Sequence, residues 1–488
     1  IGTTGQGVDR FDPFRNKFQH IFHEDDNPYS LIDNSVWSIF QDDQENLWIG
    51  TFNGLTEYES DGTVNHYVNN PDDPESISQN SIFSIAQDNS GGLWFGTMNG
   101  LSRFDRVSKK FTNYPYAVIY KVFIDEKGTI WLGSAGRGLV KFDSQHKEFI
   151  SYSNEPGNDF GLGDNTVLSI YQDKNQDLWV GTFTGGLCKF DQSAQKFECF
   201  RHDPENPISI SNNVVLDILE TSDGTFWIAT TGGLNLFDPE SGTFKVFREK
   251  DGLPGDLVYS IIQDSKGFYW LSTNSGISKF DFANKTFTNY SVFDGLQSNE
   301  FNQGAKFQNK NGEIFFGGIN GFNRFTPIAI KQNNYQPPLV ITQFQLFNEI
   351  VDIVENSPIS VSLPYTKKIV LNYQEKFFSF DFASMHYSAP EKIEYAYQLV
   401  GLDEDWIYSG NRNYASYTKG ASGKYTSQVT ATNSDGIWND QVRSIEIEII
   451  PPYWQTFWFQ LLAIVLIGGV VVGIFELRIS MVRKQKEK

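Results

Sequence analysis

The sequence predicts an all-β protein made of a seven-bladed β-propeller, an immunoglobulin-like β-sandwich and one C-terminal transmembrane helix. Three observations lead to this prediction. A motif of Trp, an apolar residue, Gly and Thr, first seen at Leu47–Thr51, recurs along the first two thirds of the chain. The repeat then stops and longer alternating strands begin, and a charge-free apolar stretch follows near the C-terminus.

The repeats predict the propeller. The tryptophans of successive copies lie 46, 37, 48, 48 and 43 residues apart, a period typical of repeat architectures. Around each Trp, β-branched and aromatic residues alternate with polar ones, which predicts a four-stranded antiparallel meander. Four strands in about 45 residues correspond to one propeller blade. The copies, including a degenerate seventh, are centred on Trp48, Trp94, Trp131, Trp179, Trp227, Trp270 and Phe315.

The two ends of the repeat region complement each other. The seventh unit of the region 34–330 stops after its third strand, near Phe325, whereas residues 1–33 start in the middle of a repeat. The segment from Lys17 to Ile21 can supply the missing strand, so we expect a ring closed by strand exchange, without large exposed edges. We also expect the natural chain to begin before residue 1, with a signal and further blades.

The charge balance excludes one class of partner. The chain has 39 Lys and Arg against 59 Asp and Glu, a net charge of −20 and a pI near 4.7. Such a surface repels phosphate backbones, so we expect no nucleic-acid contact by this piece.

The two cysteines, Cys188 and Cys199, lie on the third and fourth strands of the fourth unit. If Phe190 pairs with Phe197 across the turn, the same register places the two cysteines opposite each other. Either a disulfide forms, which requires an oxidising compartment, or two thiols lie side by side in a sheet.

The C-terminal part has a different organisation. A Pro-rich linker at 331–338 precedes residues 339–450, whose alternating strands and Gly and Asn turns predict the sandwich. The span 455–477 contains nineteen consecutive uncharged residues, enough to cross a bilayer. Residues 478–488 then begin a cytoplasmic segment.

The flanks of the span predict its orientation. Aromatic residues belong at the membrane interface and basic residues on the cytoplasmic side. Trp454 and Trp458 flank one end, and Arg478, Arg483 and Lys484 follow the other. We therefore expect a single-pass protein of the inner (cytoplasmic) membrane whose bulk is periplasmic.

Chemical motifs are few. The six histidines show no metal-ligand spacing, and the run from Asp173 to Asp177 lacks the Gly and Glu of a calcium loop, so it is interpreted as a hairpin. Neither Gly5–Gly7 nor Gly136–Gly138 is followed by a helix, as a phosphate loop requires. The sequence therefore predicts no catalytic residues, no metal and no cofactor.

Ligand-binding residues are sought where the repeats differ. The repeated Trp is interpreted as inter-blade packing, because it occupies one strand position in every blade. A slot near the start of each first strand varies more, and Arg137 lies in a joint one residue longer than its neighbours. Core packing is the competing interpretation of this slot. The candidate ligand-binding residues are Trp37, Phe83, Tyr120, Tyr259 and Arg137.

The blade motif, with its Gln-Asp and Gly-Leu companions, resembles the two-component regulator propeller family. Residues 339–450 resemble its usual partner, the three-tyrosine (Y_Y_Y) domain. The resemblance extends over nearly the whole chain and includes the exit into a single span. The residues that carry the second resemblance are Tyr395 to Leu399, Gly401 to Asp403, Trp406, Tyr417, Gly423, Tyr425 and Trp438.

This resemblance implies a function. Family members are sensors whose cytoplasmic part is commonly a histidine kinase, and many detect oligosaccharides from polysaccharide breakdown. We therefore expect an oligosaccharide or other small ligand, a homodimer and a kinase module in cis. A diguanylate cyclase output, a propeller lyase-like enzyme and an adhesion scaffold are the alternatives.

Overall fold

The computed structural model describes residues 2–3, 7–8, 16–154, 161–354, 357–375, 377–387, 389–418 and 422–486. The chain divides into two compact units, Ile1–Lys331 and Gln332–Lys488. The first unit contains seven four-stranded antiparallel sheets, the blades of a propeller. Gly2–Thr3 and Gly7–Val8 form a separate two-stranded ladder, and the residues between and after them, up to 15, lie outside the described part.

Each blade runs from an inner first strand to an outer fourth strand. The first strands are Val36–Gln41, Ile82–Gln87, Ile119–Ile124, Val167–Gln172, Val215–Glu220, Val258–Gln263 and Phe301–Gln308. The second strands are Leu47–Thr51, Leu93–Thr97, Ile130–Ser134, Leu178–Thr182, Phe226–Thr230, Tyr269–Thr273 and Ile314–Gly318. The third strands are Leu55–Tyr58, Gly100–Asp105, Leu139–Asp143, Leu187–Asp191, Gly233–Asp238, Gly276–Asp281 and Gly321–Phe325. The fourth strands are Val64–Tyr67, Lys110–Tyr114, Glu148–Tyr152, Lys196–Phe200, Thr243–Phe247, Thr286–Tyr290 and, in the seventh blade, Gln19–Ile21.

The repeated Trp packs between blades. Trp48 is fully buried, and its ring lies 5.8 Å from Phe95 and 5.2 Å from Phe104 of the next blade. Trp94, Trp131, Trp179, Trp227 and Trp270 make equivalent contacts. These side chains are covered on both faces, so the packing interpretation is confirmed.

An aspartate holds five of these six indoles in place, whereas the buried indole N–H of Trp227 has no hydrogen-bond partner among the described residues. In blade 3, Asp125 lies in the turn after the first strand; its Oδ2 accepts the Trp131 indole N–H at 2.9 Å. Its Oδ1 accepts the backbone N–H groups of Lys127 and Thr129. One buried carboxylate thus closes the hairpin and orients the ring. The same pair recurs, at 2.8 to 2.9 Å, for Trp48, Trp94, Trp179 and Trp270.

The Gly of the motif allows the next blade to approach. A Cβ at Gly181 would lie 2.7 Å from the carbonyl oxygen of Val215, in the first strand of the following blade. Only a residue without a side chain tolerates that distance. The Thr that follows ends the strand, as Thr182 Oγ1 donates to the carbonyl of Gly186 at 2.9 Å.

The N-terminal strand completes the seventh blade. Gln19–Ile21 pairs antiparallel with Gly321–Phe325. Phe18 is buried, with ring distances of 5.1 Å to Tyr290 and 4.8 Å to Phe325. Residues about 300 positions apart therefore close the ring.

The fourth blade carries a covalent cross-link. Cys188 and Cys199 are directly opposite in the ladder, and their sulfur atoms are bonded. The equivalent pair in blade 2 is Ser102 and Asn113, joined by a 2.7 Å hydrogen bond from the serine hydroxyl to the amide oxygen. Blade 6 has the same bond between Ser278 and Asn289. The disulfide therefore takes a place that a side-chain hydrogen bond holds in other blades.

The second unit is a two-sheet sandwich. One sheet has the order Glu349–Ile350, Leu339–Leu346, Phe377–Ser384, Tyr414–Thr418. The other has the order Lys368–Leu371, Arg443–Ile449, Gly423–Ala431, Tyr395–Val400, Ile407–Gly410, in which the first pair is parallel. Short 3-10 turns occur in both units, at Glu249–Asp251, Val292–Asp294, Pro327–Ala329, Leu363–Tyr365, Pro390–Lys392 and Tyr453–Gln455.

Aromatic side chains from both sheets form the sandwich core. Tyr397 and Tyr417 are buried, with rings 6.0 Å apart. The Tyr397 hydroxyl accepts a hydrogen bond from Arg412 at 3.0 Å.

The predicted linker lies against this unit, since Asn433 Nδ2 donates to the carbonyls of Asn333 and Tyr335. The linker segment is thus fixed to the sandwich by hydrogen bonds.

One helix, Phe457–Lys486, ends the described chain, and its part Phe457–Gln485 is long and apolar enough to cross a membrane. Trp458 and Arg478 lie twenty residues apart, about 30 Å along a helix, which matches the hydrocarbon core of a bilayer. Trp454 packs on Tyr373 at 5.1 Å and is half-exposed. The helix continues through Arg483 and Lys484.

We predict that Asp125→Ala destabilises the propeller by about 3 kcal/mol, because one buried and two partly buried donors lose their acceptor. Thermal unfolding followed by Trp fluorescence measures this. Asp61→Ala, at an exposed hairpin turn, is the control and should have little effect. Equal effects of both substitutions would contradict the role given to the buried carboxylate.

We predict that reducing the wild-type protein lowers its melting temperature, since a bridge over eleven positions stabilises by about 2–3 kcal/mol. Cys188→Ser with Cys199→Asn should restore the hydrogen bond of blades 2 and 6. This pair should remain better folded than Cys188→Ala with Cys199→Ala and be insensitive to reductant. Alkylation of both thiols in unreduced, denatured protein, detected by mass spectrometry, would contradict the disulfide.

Candidate functional site

An extra residue interrupts the first strand of each blade. In blade 1, Val36 pairs with Thr51 and Ser38 with Gly50, so Trp37 has no partner in the ladder. The equivalent bulge residues are Phe83, Tyr120, Leu168, Leu216 and Tyr259. A bulge redirects its side chain away from the regular pleat. This is the structural basis of the variable slot seen in the sequence.

The seventh blade carries a longer bulge. Phe301 pairs with Gly318 and the next pair is Lys306 with Phe316, so four residues stand opposite one. Within it, Gly304 has a φ of +74°, which favours glycine. Gln303 Nε2 donates to the carbonyl of Leu168 in blade 4 at 3.3 Å. The bulge therefore reaches across the ring.

Together the first strands enclose the axial cavity, with a volume of about 380 Å³. Such a volume falls within the range of small-molecule sites, roughly 300–1,000 Å³. Trp37, Phe83 and Tyr120 form a continuous aromatic arc in its wall, with successive ring distances of 5.6 and 5.3 Å. The side chains and backbone of Leu168, Leu216, Gln303 and Gly304 contribute to the rest of the wall.

One strand position adds polar groups to this wall. It is the residue opposite the small residue of the Trp motif, which is Ser38, Ser84 and Ser169 in three of the blades that line the cavity and a charged residue, Lys121 or Asp217, in two. The wall also contains Lys306, which lies one position further along the first strand of the seventh blade, opposite Phe316. Asp217 accepts a bond from the backbone N–H of Ile261 at 2.8 Å and forms an ion pair with Lys306. Lys306 also donates to the carbonyl of Ile261 at 2.9 Å. Asp217 and Lys306 thus neutralise each other.

The third charged residue, Lys121, is different. It lines the cavity and, among the residues that the structure describes, it forms neither an ion pair nor a hydrogen bond. Burial, and to a smaller extent the Lys306 ammonium, lower the pKa of Lys121, whereas Asp217 raises it. Ser169 also belongs to the wall, but its hydroxyl is buried against Gly181 of the adjacent strand and is not exposed to the cavity. The cavity thus carries one cation without a counter-ion.

The predicted ligand residues fall into two groups. Trp37, Phe83 and Tyr120 meet in the cavity wall. Tyr259 donates its hydroxyl proton to Glu300 and packs on the seventh-blade core instead; burial and this bond raise its pKa. Arg137 is exposed in a joint of blade 3 and is not among the lining residues. The corresponding joint of blade 4, between Thr182 and Leu187, is as long as that of blade 3.

The sequence analysis did not single out Lys121, Asp217, Ser169 or Lys306. A signal was available for Lys121 and Asp217, because the aligned position is serine in four blades and charged in these two. That signal could not reveal which charges meet, since Lys306 and Asp217 are 89 residues apart.

The remaining motifs have structural roles. Asp173 Oδ1 accepts the backbone N–H groups of Asn175 and Asp177, so the loop that resembles a calcium site is a hairpin turn. Ring nitrogens of His20, His23, His66 and His202 bond to backbone carbonyls. Within the described residues no cluster of three or more His, Cys, Asp or Glu could hold a metal ion.

We predict that Lys121→Met raises the melting temperature at pH 7 by about 2–4 °C for each kcal/mol that the buried charge costs. The folded pKa of Lys121 lies below its ordinary value of 10.5. Between these two values the unfolded chain binds more protons, so wild-type stability rises with pH. The advantage of Lys121→Met should therefore shrink from pH 7 towards pH 10. Lys310→Met, in an exposed turn, is the control; a pH-independent or negative difference for Lys121→Met would contradict the prediction.

Two family models match the chain. The model described as Two component regulator propeller matches residues 30–53, 76–99, 161–184, 209–232 and 252–275. Each segment contains the first and second strands of a blade, with the bulge and the Trp motif. The model described as Y_Y_Y domain matches residues 386–449, within the sandwich.

One relative is similar to this chain in sequence, and one solved structure is similar to it in fold. A protein named histidine kinase P4, from Formosa agariphila, is 32% identical over 182 residues, which are 37% of this chain and 13% of that protein. A crystal structure from B. thetaiotaomicron, of the extracellular domain of a protein assigned to a hybrid two component system, is 29% identical, with a TM-score of 0.74. The match covers 89% of this chain and 58% of that one, so the chain spans only part of either relative. The chain is therefore a set of two component regulator propeller repeats followed by a Y_Y_Y domain, similar to the extracellular domain of a two-component sensor.

Proposed function

We propose that this chain is the ligand-sensing region of a single-pass receptor in the inner membrane, with the propeller and sandwich in the periplasm. The receptor passes its signal to a histidine kinase on the same polypeptide. Two observations support this: the similarity to an extracellular domain of a two-component system, and the local identity with a histidine kinase.

The C-terminal helix supports the proposed topology. Trp458 lies at its start, and Arg478, Arg483 and Lys484 lie near its end. Because positive charge is retained on the cytoplasmic side, the basic end is cytoplasmic and the two β units lie outside. A disulfide between Cys188 and Cys199 is compatible with that location, since the periplasm is oxidising.

The axial cavity is the proposed ligand site, and a short oligosaccharide is the proposed ligand. The observation that carries this proposal is the aromatic arc of Trp37, Phe83 and Tyr120 within a cavity of about 380 Å³. Aromatic rings give a ligand a large apolar contact area, while a few polar groups orient it. The flat C–H faces and hydroxyl groups of a sugar ring meet both requirements.

Signalling requires that the ligand favours one of two receptor arrangements. In a homodimer, ligand bound in each propeller would bias the relative orientation of the paired subunits, and a rigid-body movement would carry the change through the helix.

We predict that one family of oligosaccharides raises the melting temperature of the 488-residue chain in detergent, in a saturable way and without being consumed. Trp37→Ala should weaken that binding by about tenfold or more, as expected for loss of an aromatic anchor. Isothermal titration calorimetry measures the affinity. Tyr408→Ala, an exposed aromatic of the sandwich, is the matched control.

Two results would count against the proposal. Saturable binding that Trp37→Ala leaves unchanged would place the site outside the axial cavity. Product formation from a bound sugar would favour an enzyme over a sensor.

A further inference from the structure

The axial cavity contains more positive than negative charge, although the chain as a whole carries −20. Of the charged side chains in its wall, Lys121 and Lys306 are basic and Asp217 is acidic. The ion pair between Lys306 and Asp217, together with the backbone of Ile261, satisfies both of its members. The charge of Lys121 remains, so the wall has one net positive charge.

An ammonium without a counter-ion is unfavourable where the surrounding water is partly excluded, as at the half-buried Lys121. Proteins normally pair such a charge or leave it in water. The lowered pKa of Lys121 reflects this cost. Serine fits the equivalent position of the two preceding blades and of the next one, at Ser38, Ser84 and Ser169, so the fold does not require lysine here.

An oxyanion in the cavity would satisfy Lys121, because it accepts a charge-assisted hydrogen bond from an ammonium. Lys121 belongs to the wall of the cavity, as do the three aromatic rings. A ligand that carries both an anionic group and an apolar face can therefore contact the lysine and the rings together.

We propose that the axial cavity binds an acidic sugar, with its single carboxylate or sulfate group held by Lys121 and its ring against the arc of Trp37, Phe83 and Tyr120. This inference rests on the proposed function and specifies its ligand class. One net positive charge matches a monoanion. A phosphate monoester, which carries close to two negative charges at pH 7, would leave one of them unpaired.

The test compares three matched ligand sets by calorimetry on the 488-residue chain in detergent: uronic-acid oligosaccharides, sugar sulfates, and neutral oligosaccharides of the same linkage and length. We expect one of the two acidic sets to bind. Comparison of the uronic-acid set with the sulfate set shows which monoanion the cavity prefers. Lys121→Met should weaken acidic binding by about tenfold or more, as loss of a charge-assisted bond implies. It should change the Kd for neutral oligosaccharides by no more than about twofold, which is well below a tenfold change of about 1.4 kcal/mol.

A control variant separates specific from general effects. Lys310→Met removes an exposed charge and should change nothing. Acylation of lysines, read by peptide mass spectrometry with and without methyl sulfate or acetate, gives a readout that depends on no sugar; these monoanions should protect Lys121 and not Lys310.

The outcomes distinguish this inference from the proposed function. If neutral sugars bind as tightly as acidic ones and Lys121→Met has no effect, the anion site is wrong while the sensor stands. If no sugar binds but the small monoanions protect Lys121, the anion site stands and the oligosaccharide proposal fails. If no sugar binds and no monoanion protects Lys121, both are wrong.

Discussion

The propeller depends on one repeated interaction: a buried Trp fixed by an aspartate of its own blade and packed on aromatic rings of the next. In blade 3 the Asp125 carboxylate accepts the Trp131 indole N–H and also two backbone N–H groups of its turn. The ring then meets Phe190 of blade 4 at 5.9 Å. One carboxylate therefore links the geometry of a hairpin to the contact between blades.

That constraint also determines where a ligand can bind. The second strand of each blade lies close to the first strand of the next, as the approach of Val215 to Gly181 shows. A bulge in the first strand then places Trp37, Phe83 and Tyr120 in the wall of the cavity. The bulge recurs with the repeat. Lys121 does not, because the neighbouring blades carry serine at its position.

Side chains of the cavity can favour ligand binding at the expense of stability, whereas the cross-link of the fourth blade adds stability. The cross-strand pair of Cys188 and Cys199 occupies a place where Ser102 and Asn113 form a hydrogen bond, so it reinforces an existing contact. In the cavity, Lys121 has no counter-ion among the described residues, and burial lowers its pKa. Groups that destabilise a folded protein and line a concave wall are expected where a ligand completes the structure.

The sequence by itself determined the architecture. Seven blades, the sandwich and the apolar helix follow from local patterns, because a strand's alternation, a turn's Asp or Gly and a period near 45 residues are all properties of short segments. The slot of Trp37, Phe83 and Tyr120 was visible for the same reason. Three short sandwich strands, Glu349–Ile350, Ile407–Gly410 and Tyr414–Thr418, were not predicted, since their pairing comes from neighbours.

Only the tertiary structure decided the composition of the site. It brought Lys306 to Asp217, left Lys121 without a counter-ion among the described residues, and turned Tyr259 towards Glu300. It also placed Arg137 in an exposed joint, apart from the cavity. The physical reason is that these contacts join different blades around an axis. They depend on how many residues each bulge contains and on how the ring closes, and neither property is encoded within a single repeat.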